Sequence, residues 1–206
     1  SASAILGALV VAVLPLWENV FDILSPLRLL ELSHHASPLL KRLQIEAPGT
    51  YHHVLMVGTL AERAADRLGM NSLLVQAGAY YHDIGKLKRP QFFVENQMSG
   101  VNVHDDLSPS LSALVIIAHV RDGMEIATEA RLPKRLRQFI QEHHGTTHLS
   151  YFFRKALAQG ERVDREQFCY PGPCPQSRET AVVMLADSVE AAVRAAWGAP
   201  SRETPG

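Results

Sequence analysis

At 206 residues the chain can bury one sizeable core, so a single domain is expected. Apolar residues make up 47% and charged residues 20%, a globular balance that argues against a disordered chain. The formal net charge of −1 excludes a global basic field for nucleic acid, so any phosphate binding must come from a local patch or a metal ion. Residues 1–24 form an apolar lead-in and connector. The run Ile5–Leu16 is shorter than the roughly 20 apolar residues that cross a bilayer, and it lacks the basic flank of a signal peptide. It reads either as a core helix or as the last turns of a transmembrane helix, and Pro15 with the interface-type Trp17 favours the second.

A short helix follows from Ser25-Pro26 to about Ser33, then His34 and His35 in a solvated loop. Pro38–Leu43 is another helical turn, and Ala47–Thr50 reads as a break. A clear helix spans His52–Leu68 and stops at Gly69. Val57, Leu60, Ala61, Ala64 and Leu68 make its apolar face. His53, at helical spacing from Val57 and Leu60, lies on that face, whereas His52 points about 100° away. Asn71 caps a buried helix over Ser72–Asp83, which ends in His82-Asp83. Residues 86–107 read as a long polar loop opening on Lys86, Lys88 and Arg89, a length that marks a functional or disordered segment. The loop also holds His104-Asp105.

Ser108-Pro109 starts the next helix. Leu111–Ala118 is strongly apolar and ends at His119, and Arg121–Arg131 reads as a separate, more polar helix. Pro133 opens a helix to His144, stopped by Gly145, whose stripe of Leu136, Phe139 and Ile140 is extended by His143. A helix over about His148–Ala158 carries Tyr151, Phe152 and Phe153. Residues 160–177 form a Pro/Gly-rich loop in which Cys169 and Cys174 read as free thiols. Arg178–Trp197 is the last helix, with Asp187 set among Val182, Val183, Ala186 and Val189. The tail 198–206 is expected to be disordered. No segment alternates as a strand, so the expectation is an all-α bundle of roughly eight helices.

Ten histidines invite a metal reading, because neutral imidazole is the commonest metal ligand. His53, His82, Asp83, His119, His143 and Asp187 each interrupt an apolar helix face or sit at its end. Burying such groups without partners is costly. Converging, they would hold two divalent ions, with Asp83 giving one oxygen to each. Two-metal sites hold their ions roughly 3.5–4 Å apart and stabilise a phosphoryl displacement. An N/O donor set without thiolate suits Fe, Mn, Co or Ni better than Mg or Ca.

This H…HD…H…H(H)…D order resembles the HD-domain metal-dependent phosphohydrolases. The stretches APGTYHH (47–53), GAYYHDIGKLKRPQFFVENQ (78–97), HDDLSPSLSALVIIAHVRDG (104–123), EHHGTT (142–147) and YPGPCPQSRETAVVMLADSVEAAVRA (170–195) are similar to the cytoplasmic domain of the seven-transmembrane HD family, the PgpH-type cyclic di-AMP phosphodiesterases. The resemblance covers about residues 25–197. It implies an HD-domain bundle around a dinuclear metal site on the cytoplasmic face of the cell membrane, and hydrolysis of cyclic di-AMP to linear pApA by a metal-activated hydroxide. It further implies that His53, His82, Asp83 and Asp187 hold one metal, and that Asp83, His119 and His143 hold the other, with His144 a possible additional ligand. Two divalent transition metal ions, Mn or Fe, are the implied cofactor. Lys86 would neutralise phosphate charge; Arg121 and Tyr151 are further candidate substrate contacts, the latter on composition alone. One departure is Val54, where relatives often carry Ser; it removes no ligand. Alternatives are cyclic di-GMP or a mononucleotide as substrate, and a non-catalytic nucleotide-sensing module. The Gly-Tyr-Pro triplet expected of the cyclic di-GMP branch is missing, and Tyr170-Pro171-Gly172 has a different order and place.

Overall fold

The computed structural model describes Gly7, residues 24–97 and residues 102–198. The apolar lead-in and the tail after residue 198 lie outside these, apart from Gly7 and Leu24. Eight α-helices occur among the described residues: α1 (Pro26–Ser33), α2 (Pro38–Glu46), α3 (Pro48–Arg67), α4 (Ser72–Tyr81), α5 (Pro109–Glu129), α6 (Lys134–Glu142), α7 (Ser150–Ala158) and α8 (Arg178–Gly198). The one strand-like feature among them is an isolated bridge between His148 and Cys169.

Proline sets four of the helix starts, since its missing N–H would be unpaired there anyway. Ser25, Asn71 and Ser108 cap α1, α4 and α5, each accepting a backbone N–H three residues on. The expected break at Ala47–Thr50 narrows to Ala47, because Pro48, Gly49 and Thr50 are already the first turn of α3. The buried stripe of α3 runs through Thr50, His53, Val54, Val57, Gly58, Ala61 and Ala65, while Leu60, Ala64 and Leu68 are exposed. The apolar face is therefore rotated from the one the sequence suggests. α5 is one continuous helix, since nothing between Ala118 and Arg121 breaks its hydrogen bonds, and His119 sits in its middle. α7 starts at Ser150, two residues later than expected, because residues 147–149 pair with residues 168–170 instead.

The main core is built chiefly from α1–α4 and α6, with Ile126 and Ala127 of α5 and Val183 and Ala186 of α8 joining it; Leu40, Leu43, Val54, Tyr81, Leu136, Phe139 and Ile140 are among its fully buried side chains. A smaller cluster of Ala113, Ala156 and Phe168 joins α5 to α7. The described part of the segment expected to be a long polar loop, functional or disordered, is a chain of 3₁₀ turns over 84–96, with a further turn at Val103–Asp105; Ile84 and Leu87 join the main core, and Lys86 and Phe93 are buried too. Gly85 makes this possible: a Cβ there would fall 1.8 Å from the His119 carbonyl oxygen. Only glycine lets the turn after α4 lie against the backbone of α5. Downstream, Arg89 and Lys88 bind Asp122, itself buried on α5, and Lys88 also reaches Glu125. Lys88 and Arg89 thus clamp the segment onto α5. Cys169 and Cys174 are free thiols.

Candidate metal centre

Five segments bring polar groups to one point. His53 comes from the buried face of α3, His82 and Asp83 from the turn that ends α4, His119 from the middle of α5, and Asp187 from α8. His143 and His144 come from the turn after α6. That helix ends at Glu142, so the two histidines are not consecutive helical residues pointing apart. Their rings stand 4.0 Å apart, and both face the centre. The helix ends here because Gly145, at φ +52°, turns the chain, and because Glu142 accepts Gln176 N–H (2.8 Å) and the Thr180 hydroxyl (2.7 Å). Those bonds also fix α6 against the start of α8, which carries Asp187.

Two adjoining groups result. Asp83, His119, His143 and His144 each offer a ligand atom within 4.8 Å of the others, and so do His53, His82 and Asp187. Asp83 lies between the groups. Its Oδ1 is 3.3 Å from His119 Nε2 and 3.6 Å from His143 Nε2, and its Oδ2 is 3.4 Å from the Nε2 atoms of both His53 and His82. Asp187 Oδ1 is 3.1 Å from His53 Nε2, and Oδ2 is 3.9 Å from His144 Nδ1.

The ring orientations follow from hydrogen bonds on the far side of each imidazole. His82, His119 and His143 use Nδ1 to donate to the carbonyls of Ala79 (2.7 Å), Ile116 (2.6 Å) and Ile140 (2.9 Å), each three residues back. His53 uses Nδ1 on the Glu190 carboxylate at 2.7 Å. A carbonyl oxygen accepts only, so Nδ1 carries the proton and Nε2 is left to face inward. His119 Nε2 and His143 Nε2 then stand 3.2 Å apart, an arrangement that needs a shared proton or a cation between two lone pairs. His82 Nε2 and Asp83 Oδ1 are buried without a hydrogen-bond partner. Unpaired buried polar atoms are costly, and a ligand shell is what these atoms fit. The cluster is compatible with divalent metal ions.

Charge within the centre is uneven. Burial alone would raise the Asp83 carboxyl, but Lys86 and the facing imidazoles outweigh it and hold it well below the usual carboxylate range. Asp187 is lowered by His53 against the same opposition. Burial opposes charge on His53 too, yet Asp187 and Asp83 raise it to about 10. Loss of solvation depresses His143 and His144. Lys86 is buried, with Nζ 2.8 Å from Asp83 Oδ2 and 2.7 Å from Glu95 Oε1, over the ring of Phe93. Those two carboxylates keep the ammonium charged despite burial.

Four partners escape a reading of the sequence: Glu190 and Arg194 on α8, Glu95 in the 3₁₀ segment, and Tyr170, which stacks on His144 at 4.2 Å. Glu190 had one visible signal, lying a turn beyond Asp187 on the same helix. Arg121 and Tyr151 are not brought to the centre. Arg121 is 74% exposed beside Asp122 and Glu125, and Tyr151 is 62% exposed against Phe152. His104 of the second His–Asp pair binds the Phe92 carbonyl at 2.7 Å and packs on Phe152, a structural role.

A helical bundle that presses imidazoles and carboxylates from five segments into two adjoining ligand groups defines an HD-type metal-binding fold. The HD domain family matches residues 50–192, and the chain belongs to that family. Among curated proteins it is 50% identical to the cyclic-di-AMP phosphodiesterase PgpH of Bacillus subtilis, covering 91% of this chain and 26% of that protein. It is 49% identical to the PgpH of Listeria monocytogenes over 89% of this chain and 26% of that protein. The chain spans about a quarter of the length of these relatives. Among solved structures, the PgpH HD domain of L. monocytogenes in complex with cyclic di-AMP superposes with a TM-score of 0.76 at 47% identity, covering 83% of this chain and 78% of that one.

Proposed function

We propose that the domain is a metal-dependent phosphodiesterase that hydrolyses cyclic di-AMP to linear pApA. The observation that carries this reading is the pair of ligand groups joined through Asp83, in a chain about half identical to proteins named for that activity. His53, His82, Asp83 and Asp187 would hold one divalent ion, and Asp83, His119 and His143 the other. His144, facing the second group, is a further ligand there. The donor set of imidazole and carboxylate suits Mn or Fe. Ions held there supply Lewis acidity toward phosphoryl oxygens and lower the pKa of a bound water.

The chain's own residues do the positioning. Backbone carbonyls and Glu190 fix the imidazole rings, so that Nε2 points inward before any ligand arrives. Lys86 places a positive charge 2.8 Å from Asp83, at the edge of the centre, where it offsets charge that develops on the phosphate. Arg121 and Tyr151 lie on the surface, and the proposal gives them no part in the chemical step. In the cell we place the domain, residues 25–197, at the cytoplasmic face of the membrane within a longer bacterial protein. Ile5–Leu16 is then the end of the preceding transmembrane helix, and no helix among the described residues is long and apolar enough to span.

The test is incubation of the Mn²⁺-loaded domain with cyclic di-AMP beside cyclic di-GMP. Conversion of the adenine dinucleotide alone to pApA is expected. Cleavage of cyclic di-GMP instead would overturn the substrate, and turnover of neither by a metal-loaded domain would favour a sensing module.

A further inference from the structure

A cleft of about 270 Å³ opens beside the metal centre, lined by Gly49, His52, His53, Glu95, Glu190 and Arg194. His53 belongs both to this cleft and to the ligand group with His82 and Asp187. We propose that the cleft holds the second, non-scissile phosphodiester of a cyclic dinucleotide, and that Arg194 is the residue that binds it. This rests on the phosphodiesterase reading above.

Three observations lead there. First, the carboxylates in the cleft are already engaged by the centre. Glu190 accepts His53 Nδ1 at 2.7 Å, and Glu95 accepts Lys86 Nζ at 2.7 Å and the Thr50 hydroxyl at 3.2 Å. Arg194 only bridges them loosely, 3.5 Å from Glu190 and 3.8 Å from Glu95. Those separations exceed an ordinary N–H···O hydrogen bond of about 2.7–3.2 Å. A guanidinium has five donors in a fork that matches a phosphate, and at 36% exposure this one is reachable from solvent.

Second, Arg194 supplies the permanent cation among the residues lining the cleft, whereas nearby Lys86 is taken up by Asp83 at 2.8 Å and Glu95 at 2.7 Å. Third, the size suits a fragment. At about 270 Å³ the cleft has room for one phosphate with its sugar while the other phosphate sits at the metals. Its wall at Gly49 is the first turn of α3, where the helix dipole favours an anion. A Cβ at Gly49 would fall 1.8 Å from the Glu95 carbonyl oxygen, so the close seating of that wall requires glycine.

The test compares two substrates on the metal-loaded chain: cyclic di-AMP, and bis(p-nitrophenyl) phosphate, which has a single phosphodiester. Arg194→Met is expected to raise KM for cyclic di-AMP about tenfold, the loss of one charged phosphate contact. The preference for cyclic di-AMP over the single diester should fall by the same factor, and Arg194→Lys should recover part of it. Equilibrium binding of cyclic di-AMP to the metal-free protein should weaken in the same order, wild type, Lys, Met. An unchanged preference, or an equal loss on both substrates with loss of bound metal, would overturn the assignment, because Arg194 would then act only by steadying Glu190 and Glu95. A wild-type chain that leaves cyclic di-AMP intact overturns the phosphodiesterase reading, and this inference with it.

Discussion

The two sides of the centre are built differently. On one side His119 and His143 face Asp83 and His144 stands beside them; two of the rings are tied to backbone carbonyls, and Tyr170 covers the third. Burial there depresses His143 and His144, so both are neutral and ready to bind a cation. On the other side His53 is gripped by Asp187 and Glu190, is raised to about 10, and adjoins the open cleft. The first side is nitrogen-rich. The second is carboxylate-rich, reaches solvent, and holds a proton that an ion must displace. One centre therefore contains two unequal sites, with Asp83 between them.

Removing the joint should do the most damage. Asp83→Ala is expected to empty both sides and lower kcat by at least about 10³-fold, since several kcal/mol of charge stabilisation go with the metals. Elemental analysis alongside turnover checks both halves of that statement. Asp187→Ala should strip the cleft side while the His119–His143 side keeps its ion, leaving about one metal per chain. Equal loss from both sides would erase the comparison. Lys86→Met leaves every ligand in place and should lower kcat by about 10²-fold with metal content retained. Glu190→Gln preserves shape but weakens the hold on His53, and should cost about 10-fold in metal affinity on the cleft side alone. The smallest effect is expected at the shared backbone: Gly85→Ala forces the turn of His82 and Asp83 away from α5, costing about 1–3 kcal/mol of stability, visible as a lower Tm.

The ligands themselves were legible on both sides: His119 and His143 on the nitrogen-rich side, and His53, His82 and Asp187 on the other, stand out because each ends or interrupts an apolar helix face. His144 was harder, because a helix drawn through Glu142 would turn it away; only the end of α6 brings it in. The partners of the cleft side gave little signal. Glu190, Glu95 and Arg194 are charged residues where charged residues are ordinary, on a helix surface and in an apparent loop. The 3₁₀ segment over 84–96 has neither helical nor strand periodicity, so its burial against α5 is a tertiary fact that follows from Gly85 and Asp122. The rotation of the α3 stripe has the same origin: Thr50 and Gly58 are buried because Asn96 and Tyr80 press on them, which no hydropathy pattern records.

The most direct measurement is the number of metal ions bound per chain, taken by elemental analysis after reconstitution with Mn²⁺ and dialysis, for wild type and Asp83→Ala. The account predicts about two for wild type and fewer than one for the variant. Two ions retained without Asp83, or fewer than one in the wild type, would contradict a pair of sites joined through that carboxylate.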